Sequence, residues 1–241
     1  MNSVSAHYET LLARVYLWMA GGFEVAVRNG ASDLDGVSKN IGFAIDLGAG
    51  FGMHAIPLAR AGHEVLAIDS SLYLLEQLRS SAAGLPIETV AADLTRFKDH
   101  LPSQRQADLI LCMGDTLTHL DSIDAVASLA SDIASTLAAG GRFVATFRDY
   151  TKLPEGPARF IPVRSDATRI HTCFLEAADD KVVVHDIVHE LTGAGWSMQV
   201  SSYPKLRLEP EQMCRIFTKA GLRASIGPGP RGQLRLIADK S

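Results

Sequence analysis

Cysteine is scarce: Cys112, Cys173 and Cys214 are the only three in 241 residues, odd in number and widely spaced. That excludes a disulfide framework and fits reduced thiols, each read first as a small buried hydrophobe. A basic excess is also missing, since 23 Lys and Arg face 27 Asp and Glu for a formal charge of −4. Nothing draws such a chain onto a polyphosphate, so no nucleic-acid partner is expected. Apolar runs stay short. Ala107 to Met113, broken by Asp108, falls far below the ~18 residues of a membrane span, so no membrane partner is expected either. Met1-Asn2-Ser3-Val4-Ser5 lacks the basic cluster and apolar block of a secretory leader, and a cytoplasmic location is expected. No internal repeat or low-complexity tract occurs. What is present, 47% hydrophobic and 21% charged residues, predicts one full-sized core with a small appended lobe.

From Ser5 to Asn29 the residues Leu11, Leu12, Val15, Trp18 and Met19 recur at helical spacing, and Gly21-Gly22 breaks the run, so residues 1–40 read as leading helices. Strands are predicted at Phe43 to Leu47, Glu64 to Ile68, Ile87 to Ala91, Ala107 to Met113 and Arg142 to Phe147. Helices at Met53 to Ala61, Leu72 to Ser81 and Ser122 to Ala138 alternate with them, the last stopped by Gly140-Gly141. Strands joined by helical crossovers make a parallel sheet covered on both faces. Residues 159–208 change rhythm to four extended runs with turn residues between them, an antiparallel lobe inserted into the fold. Helix Pro210 to Ala220 and two strands, Leu222 to Ile226 and Gln233 to Ala238, follow; their tight turn forces antiparallel pairing. The fold predicted is α/β, a Rossmann-like, seven-stranded, mostly parallel sheet ending in an antiparallel hairpin. Its domain is residues 1–158 and 209–241, with the lobe at 159–208 over the substrate pocket.

Ala44-Ile45-Asp46-Leu47-Gly48-Ala49-Gly50-Phe51-Gly52 sets a carboxylate inside a strand end and three glycines in the turn after it. Positions without side chains let a ligand approach the backbone, and the next helix presents free N–H groups. Asp69 ends the following strand, where a carboxylate accepts hydrogen bonds from both hydroxyls of a ribose. Dinucleotide folds use similar glycines, but Met53 stands where Gly-x-Gly-x-x-Gly needs its last one. Asp46 would repel a pyrophosphate, and suits a zwitterionic or cationic ligand better.

These residues resemble the first motif and ribose-binding acid of class I S-adenosylmethionine-dependent methyltransferases. Ala92-Asp93-Leu94 is similar to the adenine segment, Asp108 to Leu120 to the fourth motif, and Leu137 to Phe143 to the turn before the fifth strand. The resemblance runs from Gly42 to Phe147. It implies S-adenosylmethionine as cofactor and S-adenosylhomocysteine as product, held by Asp46, Gly48, Ala49, Gly50, Asp69, Ser70, Asp93, Leu94, Cys112 and Met113. Cys112 to Leu120 and Thr146 to Tyr150 look most similar to the small-molecule branch that includes glycine N-methyltransferase, although Asp115 and Asp149 stand where members commonly carry Asn. Neither an Asn-Pro-Pro-Tyr loop nor a Pro-Cys loop is present. The activity implied is in-line methyl transfer to a nitrogen or oxygen of a small metabolite, with a homo-oligomer possible. A non-catalytic cofactor-binding module is the alternative, and a nicotinamide-dependent oxidoreductase is disfavoured by Asp46.

Four residues at the mouth of the sheet are catalytic candidates. Asp115 orients an amine, accepts its proton or merely caps a turn. His119 faces the acceptor or packs beneath the loop. Arg148 holds a substrate carboxylate or pairs with Asp149 or Asp115, and Tyr150 leaves the same strand end. On the leading helix, Tyr8, Tyr16 and Trp18 either meet the sulfonium by cation–π attraction or belong to the core. His185-Asp186-Ile187-Val188-His189 imitates a zinc-protease motif, but Val182-Val183-Val184 argues for a strand, on which residues four apart lie ~13 Å from each other. One ion needs both nitrogens at ~2.1 Å, so no metal is expected there. The two histidines are expected on one face of the lobe, lining the pocket. No other His or Cys cluster has ligand spacing.

Overall fold

Every residue of the run Phe43–Leu47 is buried, which a strand achieves only at the centre of a covered sheet, and this run is β1 of a computed structural model. The structure describes residues 7, 11–37, 42–102 and 105–241. Tyr8, with most of the first predicted turn, lies outside them.

Helices α1 (Ala13–Met19) and α2 (Phe23–Asp33) lead into the sheet, and the break between them falls at Gly21-Gly22, both at positive φ, as the sequence predicts. After β1 come α3 (Ala55–Arg60), β2 (Glu64–Asp69), α4 (Leu72–Ser81) and β3 (Ile87–Ala91). Then follow β4 (Ala107–Cys112), α5 (Ile123–Thr136) and β5 (Leu137–Phe147). The segment Leu94–His100, which carries no helical periodicity, forms a 3-10 helix capped by the Asp93 carboxylate.

Strands β10 (Arg223–Pro228) and β11 (Leu234–Asp239) follow α6 (Pro210–Lys219) and complete the order β10-β11-β5-β4-β1-β2-β3. The strands β1 to β5 are mutually parallel, and β11 is antiparallel to both of its neighbours. Alternate side chains of β1 divide between two cores. Phe43, Ile45 and Leu47 pack on the α5 and α6 side, with Val126, Leu129 and Phe217. Ala44 faces the other side, with Val27, Ile56 and Leu75. The chain order reverses between β4 and β1, and the cleft outside their carboxyl ends is where open α/β sheets bind ligands.

One boundary differs from the sequence reading. Helix α5 ends at Thr136, before Gly140-Gly141, because Leu137 is wholly buried and pairs with Ala107 as a strand residue. The two glycines instead form a bulge within β5: Gly140 has φ +75, and a Cβ on Gly141 would lie 2.9 Å from the Ala138 carbonyl oxygen. Sheet pairing overrides the helical propensity of Leu137 and Ala138.

The lobe is a four-stranded antiparallel meander, β6 (Phe160–Ser165), β7 (Arg169–Ala177), β8 (Lys181–Thr192) and β9 (Gly195–Leu206). Val182, Val184, Asp186 and Val188 alternate inward along β8. Tyr150, at the exit of β5, packs with Leu175, Val182, Val184 and Tyr203, and Leu11, Leu12 and Val15 pack on Val188. The lobe therefore sits over the mouth of the sheet and is held there by the leading segment. Among the described residues no helix is long and apolar enough to cross a membrane.

Candidate active site

The turn after β1 is built from glycines at positive φ. Gly48 has φ +76, and a Cβ there would come within 2.6 Å of Thr116 Cγ2 on the loop after β4. Gly50 has φ +54 and its N–H donates to Asp69 Oδ2 at 2.8 Å. Gly52 has φ +93 with Leu78 Cδ1 at 2.3 Å from a notional Cβ, so the third glycine serves helix packing against α4 rather than the ligand. The Gly48 and Ala49 N–H groups donate to the Ile68 carbonyl, which ties the turn to β2.

A cleft with about 1060 Å³ of space, open at its mouth, lies over this turn. Of the predicted cofactor residues, Gly48, Ala49, Gly50, Asp69, Ser70, Asp93, Leu94, Met113 and Tyr16 all line it. Asp69 takes N–H groups from Gly50 and, at 2.8 Å, from Ser71, which fixes the carboxylate and leaves it lone pairs for a diol. Burial raises its pKa against the opposing pull of those donors. Asp93 accepts from the Thr95 N–H and hydroxyl at 2.8 and 2.6 Å. Tyr16 meets Phe51 edge to face, ring centroids 5.8 Å apart, and burial followed by the charge of Asp69 raises its phenol pKa.

Three residues expected at the cofactor lie off the cleft wall. Asp46 is buried beneath the turn and is not on the cleft wall; its Oδ2 has no hydrogen-bond partner among the described residues. Burial, aided by Asp69 and opposed by His54, pushes its pKa up to about 6. Cys112 is wholly buried in the core below the cleft, its thiol pKa raised by burial and by Asp46. Trp18 turns to the lobe: Nε1–H donates to Asp166 at 2.5 Å, with the Arg164 and Arg169 guanidiniums 5.5 and 5.1 Å from its ring centroid. A place at a strand end put Asp46 near the site and the family resemblance put Cys112 there, but neither says which face a side chain takes.

Of the catalytic candidates, His119 alone lines the cleft. Burial first, then the neighbouring Lys205 and His7, hold its pKa well below the ordinary range, so the imidazole is neutral. Its ring meets Tyr203 edge to face at 5.5 Å. Asp115 lies off the cleft wall in a network of buried contacts. It is buried at φ +80, takes the Arg148 N–H at 2.8 Å and the Tyr150 hydroxyl at 2.8 Å, and forms an ion pair with Lys205. Tyr150 is thus also buried behind the cleft, and the Arg148 side chain is exposed and makes no ion pair with Asp149 or Asp115. Lys205, absent from the sequence reading, is 90 residues from Asp115 in the chain, and an alternating strand gives no sign that one lysine points inward.

The histidine pair of β8 shares one face of the strand, as expected, and it is the outward face. His185 binds Glu176 at 2.7 Å, and neither His185 nor His189 lines the cleft. The inward residue is Asp186, which joins His171 and Cys173 at 2.8 Å each and His7 at 2.9 Å. Cross-strand pairing of Cys173 with Asp186 assembles a cluster that linear spacing did not reveal. Its atoms are hydrogen-bonded to each other, and its His7 arm fastens the leading segment to the lobe.

The sequence reading also missed Thr116, His54 and Arg231 on the cleft wall. Arg231 lies in the turn between β10 and β11, read only as a hairpin loop. The glycine-proline composition of that loop, unusual for a plain hairpin, was the available signal.

Comparison with known proteins agrees with this geometry. A family described as a methyltransferase domain matches residues 44–141. A glycine/sarcosine N-methyltransferase of Aphanothece halophytica is 28% identical over 108 residues, 44% of this chain and 40% of the relative, so the chain matches less than half the length of that curated protein. An S-adenosylmethionine-dependent methyltransferase from Clostridium acetobutylicum superimposes with a TM-score of 0.74 at 15% identity, over 89% of this chain and 92% of that one. An amino pentose methyltransferase from Micromonospora echinaspora, solved with S-adenosylmethionine bound, gives 0.74 at 15% identity, over 89% and 90%. The fold is that of the class I methyltransferases.

Proposed function

On a methyltransferase domain of class I fold, we propose that this chain transfers the methyl group of S-adenosylmethionine to a nitrogen of a small metabolite. The observation that carries the reading is the single cleft on which the Gly48 to Gly50 turn, Asp69, Asp93 and the neutral His119 meet. The residues fit the cofactor. Gly48 leaves open backbone where a side chain would strike Thr116, and Asp69 is fixed by two N–H donors with capacity left for two hydroxyls. Ala92, Asp93 and Leu94 form the far wall, where an adenine would lie. When bound, S-adenosylmethionine supplies a methyl already made electrophilic by its sulfonium.

The chain's work is then alignment and exclusion of water, worth on the order of 7–11 kcal/mol where orientation is ideal. His119, uncharged in its buried setting, accepts a hydrogen bond from an acceptor N–H and turns the lone pair toward the methyl. The lobe reaches this end of the cleft through Tyr203, whose ring packs on His119. Asp115, Tyr150 and Lys205 hold the loop that carries His119. The relatives named as N-methyltransferases support nitrogen over oxygen.

The test is transfer of labelled methyl from S-adenosylmethionine to a panel of small amines and alcohols. The wild type is expected to label an amine, and His119→Ala to lower turnover by about 10²-fold or more while S-adenosylhomocysteine affinity holds. Tight product binding with no transfer to any small molecule would instead mark a binding module.

A further inference from the structure

Among the described residues lining the cleft, Arg231 is the only one with a permanent positive charge. It stands in the turn between β10 and β11 at φ +52, a left-handed conformation costly for a residue with a side chain. Its neighbours build that shape. A Cβ on Gly229 would lie 2.9 Å from the Gln233 carbonyl oxygen, Gly232 has φ +72, and the Gly229 N–H closes the turn on Gln233 at 2.8 Å.

The guanidinium is aimed from behind. Nη1 and Nη2 donate to Asp33 Oδ1 and Oδ2 at 2.9 and 2.6 Å, a fork-to-fork pair, and Asp33 Oδ2 also meets His54 Nε2 at 3.0 Å. Burial opposes charge on Asp33, yet the bonds from His54 and Arg231 outweigh it and hold the carboxyl below its ordinary range. The Asp33 side chain is 4% exposed and that of Arg231 43%, so the anion is sealed in while the cation still faces the cleft. A guanidinium has five N–H groups, and Asp33 engages one on each Nη.

Placement along the sheet decides what this cation meets. Asp69 and Asp93 follow β2 and β3 at one end of the strand order, whereas Arg231 comes from the hairpin at the other. A ligand whose ribose lies at Asp69 and whose chain crosses the glycine turn directs its far end toward His54 and Arg231. Resting on the reading of the cleft given above, we propose that Arg231, aimed by Asp33, binds the methionyl carboxylate of S-adenosylmethionine.

Calorimetric titration of the full chain with S-adenosylhomocysteine and with 5′-methylthioadenosine tests this, because the second ligand keeps the nucleoside and thioether but lacks the carboxylate. Arg231→Met is expected to weaken the first by about 10- to 100-fold and to change the second by less than about twofold. The double variant Arg231→Met with Asp33→Asn removes the stranded buried charge and is expected to give the same split in a protein whose fold is protected. Equal weakening of both ligands would make Arg231 a structural brace. An unchanged S-adenosylhomocysteine affinity would leave its charge to the methyl acceptor, and either result overturns the proposal. Wild-type protein that binds neither ligand sinks the underlying reading of the cleft with it, an outcome distinct from both.

Discussion

Asp46 is an acid whose titration the fold shifts strongly. Its pKa is about 6 in the folded chain, against 3.8 for an ordinary aspartate. Between those values the folded state holds more protons than the unfolded one, so stability falls as pH rises through that window. The loss amounts to ~3 kcal/mol at most. His119, held below its ordinary range, adds a slope of the opposite sign, so the decline is read as the difference in urea unfolding between ligand-free wild type and Asp46→Asn from pH 4 to 7; identical slopes in the two proteins would contradict the burial argument. Asp69 shifts in the same direction, so some slope remains. Asp186, whose pKa is lowered because its histidine and cysteine partners outweigh burial, acts only below the ordinary aspartate range and leaves the window untouched. That Asp46 and Asp69 flank the glycine turn was plain from the sequence. That one lies under the floor and the other on the wall was not, because both are acids near the ends of adjacent strands.

Elements meet through a few buried polar contacts. Lys205 of β9 is 7% exposed and pairs with Asp115, which binds the β4 loop to the lobe. Lys205→Met strands a buried carboxylate, at an expected cost of about 3–5 kcal/mol in urea unfolding. No change in stability would mean that the pair breaks without consequence. The glycine turn is the other junction: Gly48→Ala forces a Cβ to 2.6 Å from Thr116 at positive φ, with an expected cost of about 1–3 kcal/mol and weaker S-adenosylhomocysteine binding. Full stability with intact binding would show that Thr116 simply yields. Strands β1 to β4 and β6 to β9 were legible because each is a short apolar or alternating run bounded by turn residues. The end of α5 was not, since a buried pairing of Leu137 with Ala107 outweighs the local stop at Gly140-Gly141.

At the scale of the molecule, the leading helices, the sheet and the final hairpin converge on one cleft, and the lobe packs on its His119 through Tyr203. Its outline follows from sequence order, because crossovers and chain reversal fix where the mouth of an α/β sheet opens. Its far wall does not. Asp33 and Arg231 are 198 residues apart, and His7 and Asp186 are 179 apart. Pairings over such distances are chosen by tertiary packing and leave no periodic trace in the chain. The central claim is that this cleft holds an adenosyl sulfonium compound by its ribose at Asp69. Titration calorimetry of folded protein with S-adenosylhomocysteine, run beside Asp69→Ala and beside NADH, tests it most directly. Binding at one site per chain, an affinity at least about 10-fold lower in Asp69→Ala, and no heat with NADH are predicted. Folded wild-type protein that gives no heat with S-adenosylhomocysteine, or binds it equally well without the Asp69 carboxylate, would contradict the account.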